Sequence, residues 1–147
     1  DHGFLLNLLG IGDSTNSIVK ELLVDNAADL VDKGSLTEMV AGLELLKYMS
    51  PNERHDLYYW QNLTRGTVSE VDYVLSRGID IVPMEVKSGL RGSMASLYVF
   101  MEKEHIKYAI RCSLENFGEF VSPKGKKILV NPLYAISNLF SCGERLL

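Results

Sequence analysis

Between Glu70 and Lys87 the chain alternates polar and apolar residues twice in succession, and Ser76-Arg77-Gly78 divides the two runs. A period of two is the pattern of a strand, and a helix cannot satisfy it. In the first run Val71, Tyr73 and Leu75 fall on one side, with Glu70, Asp72 and Val74 on the other. In the second, Ile79 to Lys87, Val82, Met84 and Val86 oppose Ile81, Pro83, Glu85 and Lys87. A connector this short, with a glycine in it, makes the pair an antiparallel hairpin. Any fold for this chain is therefore built around a sheet.

The flanking segments say what kind of sheet. Asp56 to Gln61 holds Leu57-Tyr58-Tyr59-Trp60, a run of aromatic β formers, and the short Gly-bearing link Leu63-Thr64-Arg65-Gly66-Thr67 joins it to the hairpin as a three-stranded meander. Before it, Ser35 opens a helix that runs to about Tyr48 and is closed by Ser50-Pro51-Asn52. Leu36, Met39, Val40, Leu43, Leu46 and Lys47 form one stripe of that helix, and Glu38, Ala41 and Leu45 lie on another side. A helix packed on two sides is expected, with Glu38 drawn partly inward. After the hairpin, Ser93 to Lys103 reads as a helix and Lys107 to Ser113 as a fourth strand; this return to a strand implies a crossover and a mixed sheet. Lys127 to Asn131 is a fifth strand candidate, and Pro132 leads into a helix from Leu133 to Phe140. The expected fold class is α/β: helix, three antiparallel strands, helix, strand, around a mixed central sheet.

At 147 residues and 46% hydrophobic content, the chain is long enough for one domain with a real core, and it matches no disordered class. No apolar run approaches the roughly 18 residues of a membrane span, so a soluble protein with no membrane partner is expected, with the cytoplasm as its compartment. Cys112 and Cys142 lie in apolar surroundings that suit buried, reduced thiols. Gly3 to Ile11 and Ser17 to Val31 are helical candidates, and residues 1–34 read as an attachment segment ahead of an α/β domain at 35–147, with its core at 35–113. The start at Asp1, without an initiator methionine, suggests a piece of a longer protein. Charge is split along the chain: residues 1–86 carry 14 acids and 6 bases, whereas residues 87–127 carry 8 bases and 4 acids. An overall net charge of -4 discourages non-specific nucleic-acid binding, but a basic half can still offer a local phosphate-binding face.

One constellation carries chemistry. Asp72 lies on one strand of the hairpin, and Glu85-Val86-Lys87 follows on its partner. Two carboxylates on neighbouring strands, facing the same way, make a hard-oxygen site suited to Mg²⁺ or Mn²⁺, with the Val86 carbonyl as a third oxygen. Lys87, two residues beyond Glu85, projects to the same face and can hold a phosphate oxygen or orient an attacking water.

Asp72 with Glu85-Val86-Lys87, in this order of elements, resembles the PD-(D/E)xK nuclease superfamily of restriction enzymes and Holliday junction resolvases. That resemblance implies a restriction endonuclease-like core. Glu38, Asp72 and Glu85 would be the metal-binding acids, the last two with Lys87 the catalytic set, and DNA a partner. Longer strings look like a closer family. Asp1-His2-Gly3-Phe4-Leu5-Leu6, Lys33-Gly34-Ser35-Leu36-Thr37-Glu38, Leu57-Tyr58-Tyr59-Trp60, Ser69-Glu70-Val71-Asp72-Tyr73-Val74 and Val82-Pro83-Met84-Glu85-Val86-Lys87-Ser88-Gly89 are similar to the C-terminal region of bacterial and archaeal AAA-type ATPases. The resemblance implies an ATPase domain ahead of this segment. No G-x-x-x-x-G-K-[ST] string occurs here, so no ATP site of that type is expected in the chain itself.

Each element also has a plainer reading. Ser35-Leu36-Thr37-Glu38 is a capping box, Asp72 an exposed strand acid, and Glu85 with Lys87 a surface ion pair. Glu70 shares the Asp72 face in this pattern and can replace it or repel it, and Pro83 argues for an edge or a bulge. His2, His55 and His105 lack zinc spacing, and Gly10-Ile11-Gly12 lacks the rest of a dinucleotide fingerprint. Trp60 suits a core or a base-stacking platform, and Lys124-Gly125-Lys126-Lys127 a solvated turn or a phosphate contact. Two functions follow: a metal-dependent phosphodiesterase, or a catalytically silent interaction or regulatory module of the ATPase.

Overall fold

The computed structural model describes residues 33–49, 52, 56–64, 67–89, 92–102 and 106–140. The helical candidates before Lys33, together with His2, His55, His105, Arg91, Lys103 and Cys142, lie outside these. The elements are helix α1 (Lys33–Tyr48), strands β1 (Tyr58–Thr64), β2 (Thr67–Arg77) and β3 (Asp80–Val86), helix α2 (Ala95–Met101), and strands β4 (Tyr108–Ser113), β5 (Gly118–Val121) and β6 (Lys127–Pro132). A 3₁₀ segment, η1, covers Leu133–Leu139. The strands form one six-stranded sheet in the order β1-β2-β3-β4-β6-β5. β1, β2 and β3 pair antiparallel, β3-β4 and β4-β6 parallel, and β5-β6 antiparallel. The fold is thus the expected α/β one, with α2 as the crossover that brings β4 parallel to β3.

Successive residues of β4 fall into different cores, so the sheet is covered on both faces. Ile110 and Cys112 pack with Val82, Met84 and Val86 of β3 against Ala41 and Leu45 of α1 and Ile136 of η1. Ala109 packs with Val71 and Ile128 against Met94, Leu97 and Phe100 around α2. β3, between two neighbours, is buried from Val82 through Val86.

Four expectations are corrected. First, β2 does not alternate without interruption. Tyr58 pairs with Val74 but Trp60 pairs with Val71, so two residues, Asp72 and Tyr73, stand opposite Tyr59 alone. This β-bulge shifts the phase: Val71 and Val74 belong with the α2 core, whereas Tyr73 and Leu75 belong with the α1 core. Second, α1 packs through its small-residue side. Ala41 and Leu45 are fully buried, while Val40, Leu43 and Leu46 of the longer stripe are more than a third exposed. Ala41 and Gly42 let the helix approach the sheet closely, which a row of Leu side chains does not. Third, β5 exists where no strand pattern stood, because its four residues gain order only by pairing with β6. Fourth, Leu133–Leu139 is 3₁₀, broken at Ala135 (φ -114°, ψ 26°), rather than α-helical.

Pro83 is neither at an edge nor in a bulge. It is buried in β3 and pairs with Val74, while β3 pairs with β4 only from Met84 onward. The proline therefore occupies a stretch with one ladder, where an N–H is not required at every position.

Candidate functional site

The hairpin delivers the site. Gly78, at φ 61°, and Ile79 form the two-residue turn between Arg77 and Asp80, and that register sets which β2 residue meets the end of β3. The β2-β3 ladder ends at Tyr73 with Met84, and beyond it the Asp72 side chain takes over: the Val86 N–H donates to Asp72 Oδ2 at 2.7 Å. The Lys87 N–H then donates to the Cys112 carbonyl at 2.8 Å, continuing the β4 ladder. Asp72 is thus an exposed strand acid no longer; it closes the end of the hairpin.

Glu85 is 5% exposed and Lys87 Nζ donates to its Oε1 at 2.5 Å. The pair is therefore a buried one on the carboxylate side, not a surface ion pair. The second oxygen, Oε2, is buried and has no hydrogen-bond partner. Burial is the main force raising the Glu85 carboxyl to about 7; the Lys87 hydrogen bond opposes it, and the Asp72 and Glu38 charges reinforce it. Burial likewise raises Asp72, against the Val86 N–H and Lys87. Glu38, half-buried on α1, is raised by burial and then by Asp72, with Lys87 opposing. Asp72 thus acts on both Glu85 and Glu38, Glu38 acts on Glu85, and Lys87 acts on all three carboxylates, so the hairpin and α1 bring the four side chains into one electrostatic neighbourhood. Among the described residues, however, no three His, Cys, Asp or Glu side chains are drawn together as a ready metal cage.

Helix α1 already includes Lys33 and Gly34, so Ser35 lies inside its first turn rather than ahead of it. A capping box needs its Ser outside the helix, which leaves Glu38 available to the site. Glu70 is exposed and acts on Asp72 as a minor repulsive neighbour. Lys87 is held from the other side as well: a Cβ on Gly92 would lie 2.8 Å from Lys87 Cδ.

The remaining candidates resolve plainly. Trp60 meets Phe100 edge-on at 5.0 Å, which makes it a core residue, while Tyr58 and Tyr59 stay exposed. Cys112 is a free, buried thiol, pushed to about 12 by burial with the Asn131 side chain opposing. The described cations of the basic stretch are each engaged: Lys107 with Asp80 and Lys127 with Glu119 at 2.8 Å, Arg111 with Glu115 at 2.8 Å, Lys124 with Glu102, and Lys126 with the Met101 carbonyl.

Sequence comparison adds a family. Residues 33–136 match the family described as Domain of unknown function (DUF4143). The chain belongs to the DUF4143 family. The matched region of this DUF4143 chain contains every residue of the site, from Glu38 to Lys87. No curated protein and no solved structure matches the chain.

Sequence reasoning missed Tyr73, whose hydroxyl donates to the Glu38 carbonyl at 2.7 Å and whose pKa burial, Glu38 and Asp72 raise to about 12. No local pattern marks it, because the contact forms only once α1 packs on the sheet.

Proposed function

We propose that this DUF4143 domain is a nuclease-like module, carried at the C-terminus of an AAA-type ATPase, that binds DNA and hydrolyses phosphodiester bonds with Mg²⁺ or Mn²⁺. The observation that carries the reading is the Glu85 carboxylate, buried with one oxygen on Lys87 and the other without a partner. A charged group is expensive to bury without compensation, and a cation is the usual compensation. The donors at hand, Asp72, Glu85 and Glu38, are all carboxylate oxygens, which fit Mg²⁺ or Mn²⁺ rather than a softer metal.

A divalent cation held there would polarise a phosphodiester and lower the pKa of bound water. The chain's own groups do the rest. Asp72, fixed by the Val86 N–H, and Glu85 hold their carboxylates at the end of β3. Glu38 adds negative charge from α1. Lys87, its stem packed beside Gly92, keeps an ammonium next to Glu85, where it stabilises negative charge growing on a non-bridging phosphate oxygen. Water would attack phosphorus and give up a proton to solvent, and the P–O bond to the leaving oxygen would break as that oxygen takes a proton from solvent.

A cleavage assay tests this: the chain is mixed with labelled duplex, single-stranded and branched DNA plus Mn²⁺. Cleavage by wild type that is lost in an Asp72→Ala, Lys87→Ala double variant is the expected result. No cleavage of any substrate, or equal cleavage by the double variant, overturns the enzymatic reading.

A second reading, a catalytically silent interaction or regulatory module, is favoured by the engagement of every described cation between residues 87 and 127 and by the exposed Val40, Leu43 and Leu46 on α1. It predicts that Asp72→Asn leaves partner binding intact while charged substitutions on the α1 stripe abolish it.

A further inference from the structure

We infer that Tyr73 is a positioning residue: its hydroxyl, seated against Gly42, pins the turn of α1 that carries Glu38 beside the Asp72 bulge. The inference rests on the proposed role of Glu38 next to Asp72 and Glu85.

Three observations converge. The Tyr73 hydroxyl donates to the Glu38 carbonyl at 2.7 Å, across 35 residues of sequence. In an α-helix the carbonyl of residue 38 faces the amide of residue 42, so a hydroxyl on that carbonyl lies against Gly42. The hydroxyl therefore meets the helix at a single carbonyl–amide pair. The second observation is steric. A Cβ at position 42 would stand 2.5 Å from the Tyr73 hydroxyl oxygen and 3.2 Å from Cζ, so the phenol tip fills the space where any other residue would carry a side chain. The third is the bulge, which places Asp72 and Tyr73 together opposite Tyr59.

The consequence is a two-residue device. Asp72 is tied to β3 through the Val86 N–H, and the next residue ties α1 to the same stretch of β2. The apolar contacts of Ala41 and Leu45 that also hold α1 to the sheet are non-directional and by themselves define no register along it. A hydrogen bond to one carbonyl does define a register, because it weakens steeply with distance and angle. Two acids of the site thus take their relative position from adjacent residues of one strand.

The test uses the whole 147-residue chain with Tyr73→Phe, Glu38→Gln and the double variant. Amide hydrogen exchange reads the pinning directly. Tyr73→Phe keeps the ring and removes only the hydroxyl, so exchange in the Met39 to Leu45 turns should quicken about five- to tenfold while β4 and β6 are unchanged. Unchanged exchange in α1 overturns the inference. Mn²⁺ calorimetry reads the positioning. Tyr73→Phe should weaken Mn²⁺ binding as much as Glu38→Gln does, and the double variant should be no weaker than either single one. If Tyr73→Phe quickens exchange but leaves Mn²⁺ affinity untouched while Glu38→Gln lowers it, the hydroxyl is merely structural and the inference fails. If wild type binds no Mn²⁺, the metal reading itself fails, and hydrogen exchange alone decides whether Tyr73 pins the Glu38 turn.

Discussion

Glu85 spends most of its surface to sit where it does, with 5% exposure and a pKa raised to about 7 from an ordinary 4.5. Between those two values the folded chain holds a proton that the unfolded chain has released, so stability falls as pH rises from about 4.5 to about 7 and is level above. Asp72 and Glu38 are raised as well and add to the fall. Glu85→Gln should therefore stabilise the metal-free chain at pH 8 by roughly 1–3 kcal/mol, with the gain vanishing toward pH 4.5, as denaturant unfolding at the two pH values would show. A loss of stability at pH 8 would mean that the Lys87 pair outweighs the burial. The glycines make a second residue-scale test. Gly42→Ala meets the Tyr73 hydroxyl at 2.5 Å and should cost about 1–3 kcal/mol, whereas Gly34→Ala meets nothing within 4 Å and should gain up to about 1 kcal/mol. Equal melting temperatures for the two variants would contradict the close approach of α1 to β2.

At the scale of elements, legibility in the sequence follows what local pattern can encode. The β2-β3 hairpin and the crossover through α2 were readable because alternation, a Gly turn and a return to strand are local signals. The bulge at Asp72–Tyr73 was not, since a phase shift in one strand is imposed by its neighbour β1. For α1 the periodicity identified two apolar stripes but not which one the sheet would cover, because the answer depends on close approach at Ala41 and Gly42 rather than on the number of large side chains. That choice has a measurable outcome. Leu45→Ala, at a fully buried position, should destabilise by about 2–5 kcal/mol, and Leu43→Ala, at 38% exposure, by less than about 1 kcal/mol. Equal losses in thermal unfolding would mean that the outer stripe is covered in solution. The acids and lysine of the candidate site were legible as residue types and spacing, whereas the Tyr73 hydroxyl that links α1 to them was not, because that contact exists only once the helix is folded onto the sheet.

For the whole molecule, the charge split along the chain takes on a different meaning in three dimensions. The described members of the basic surplus after residue 86 are distributed among carboxylates and a carbonyl, and exposed pairs of that kind contribute little to stability. Negative charge instead gathers near the end of β3, where Asp72 and Glu38 act on the buried Glu85 and Lys87 is the cation paired with it. The proposed function requires that this group of carboxylates, with Lys87 beside Glu85, receive a cation. Calorimetric titration of Mn²⁺ into the wild-type chain and Glu85→Gln at pH 8 tests that claim most directly. One Mn²⁺ site in wild type, weakened at least about tenfold in the variant, is the predicted result; no heat of binding in wild type, or the same affinity in both, would contradict it.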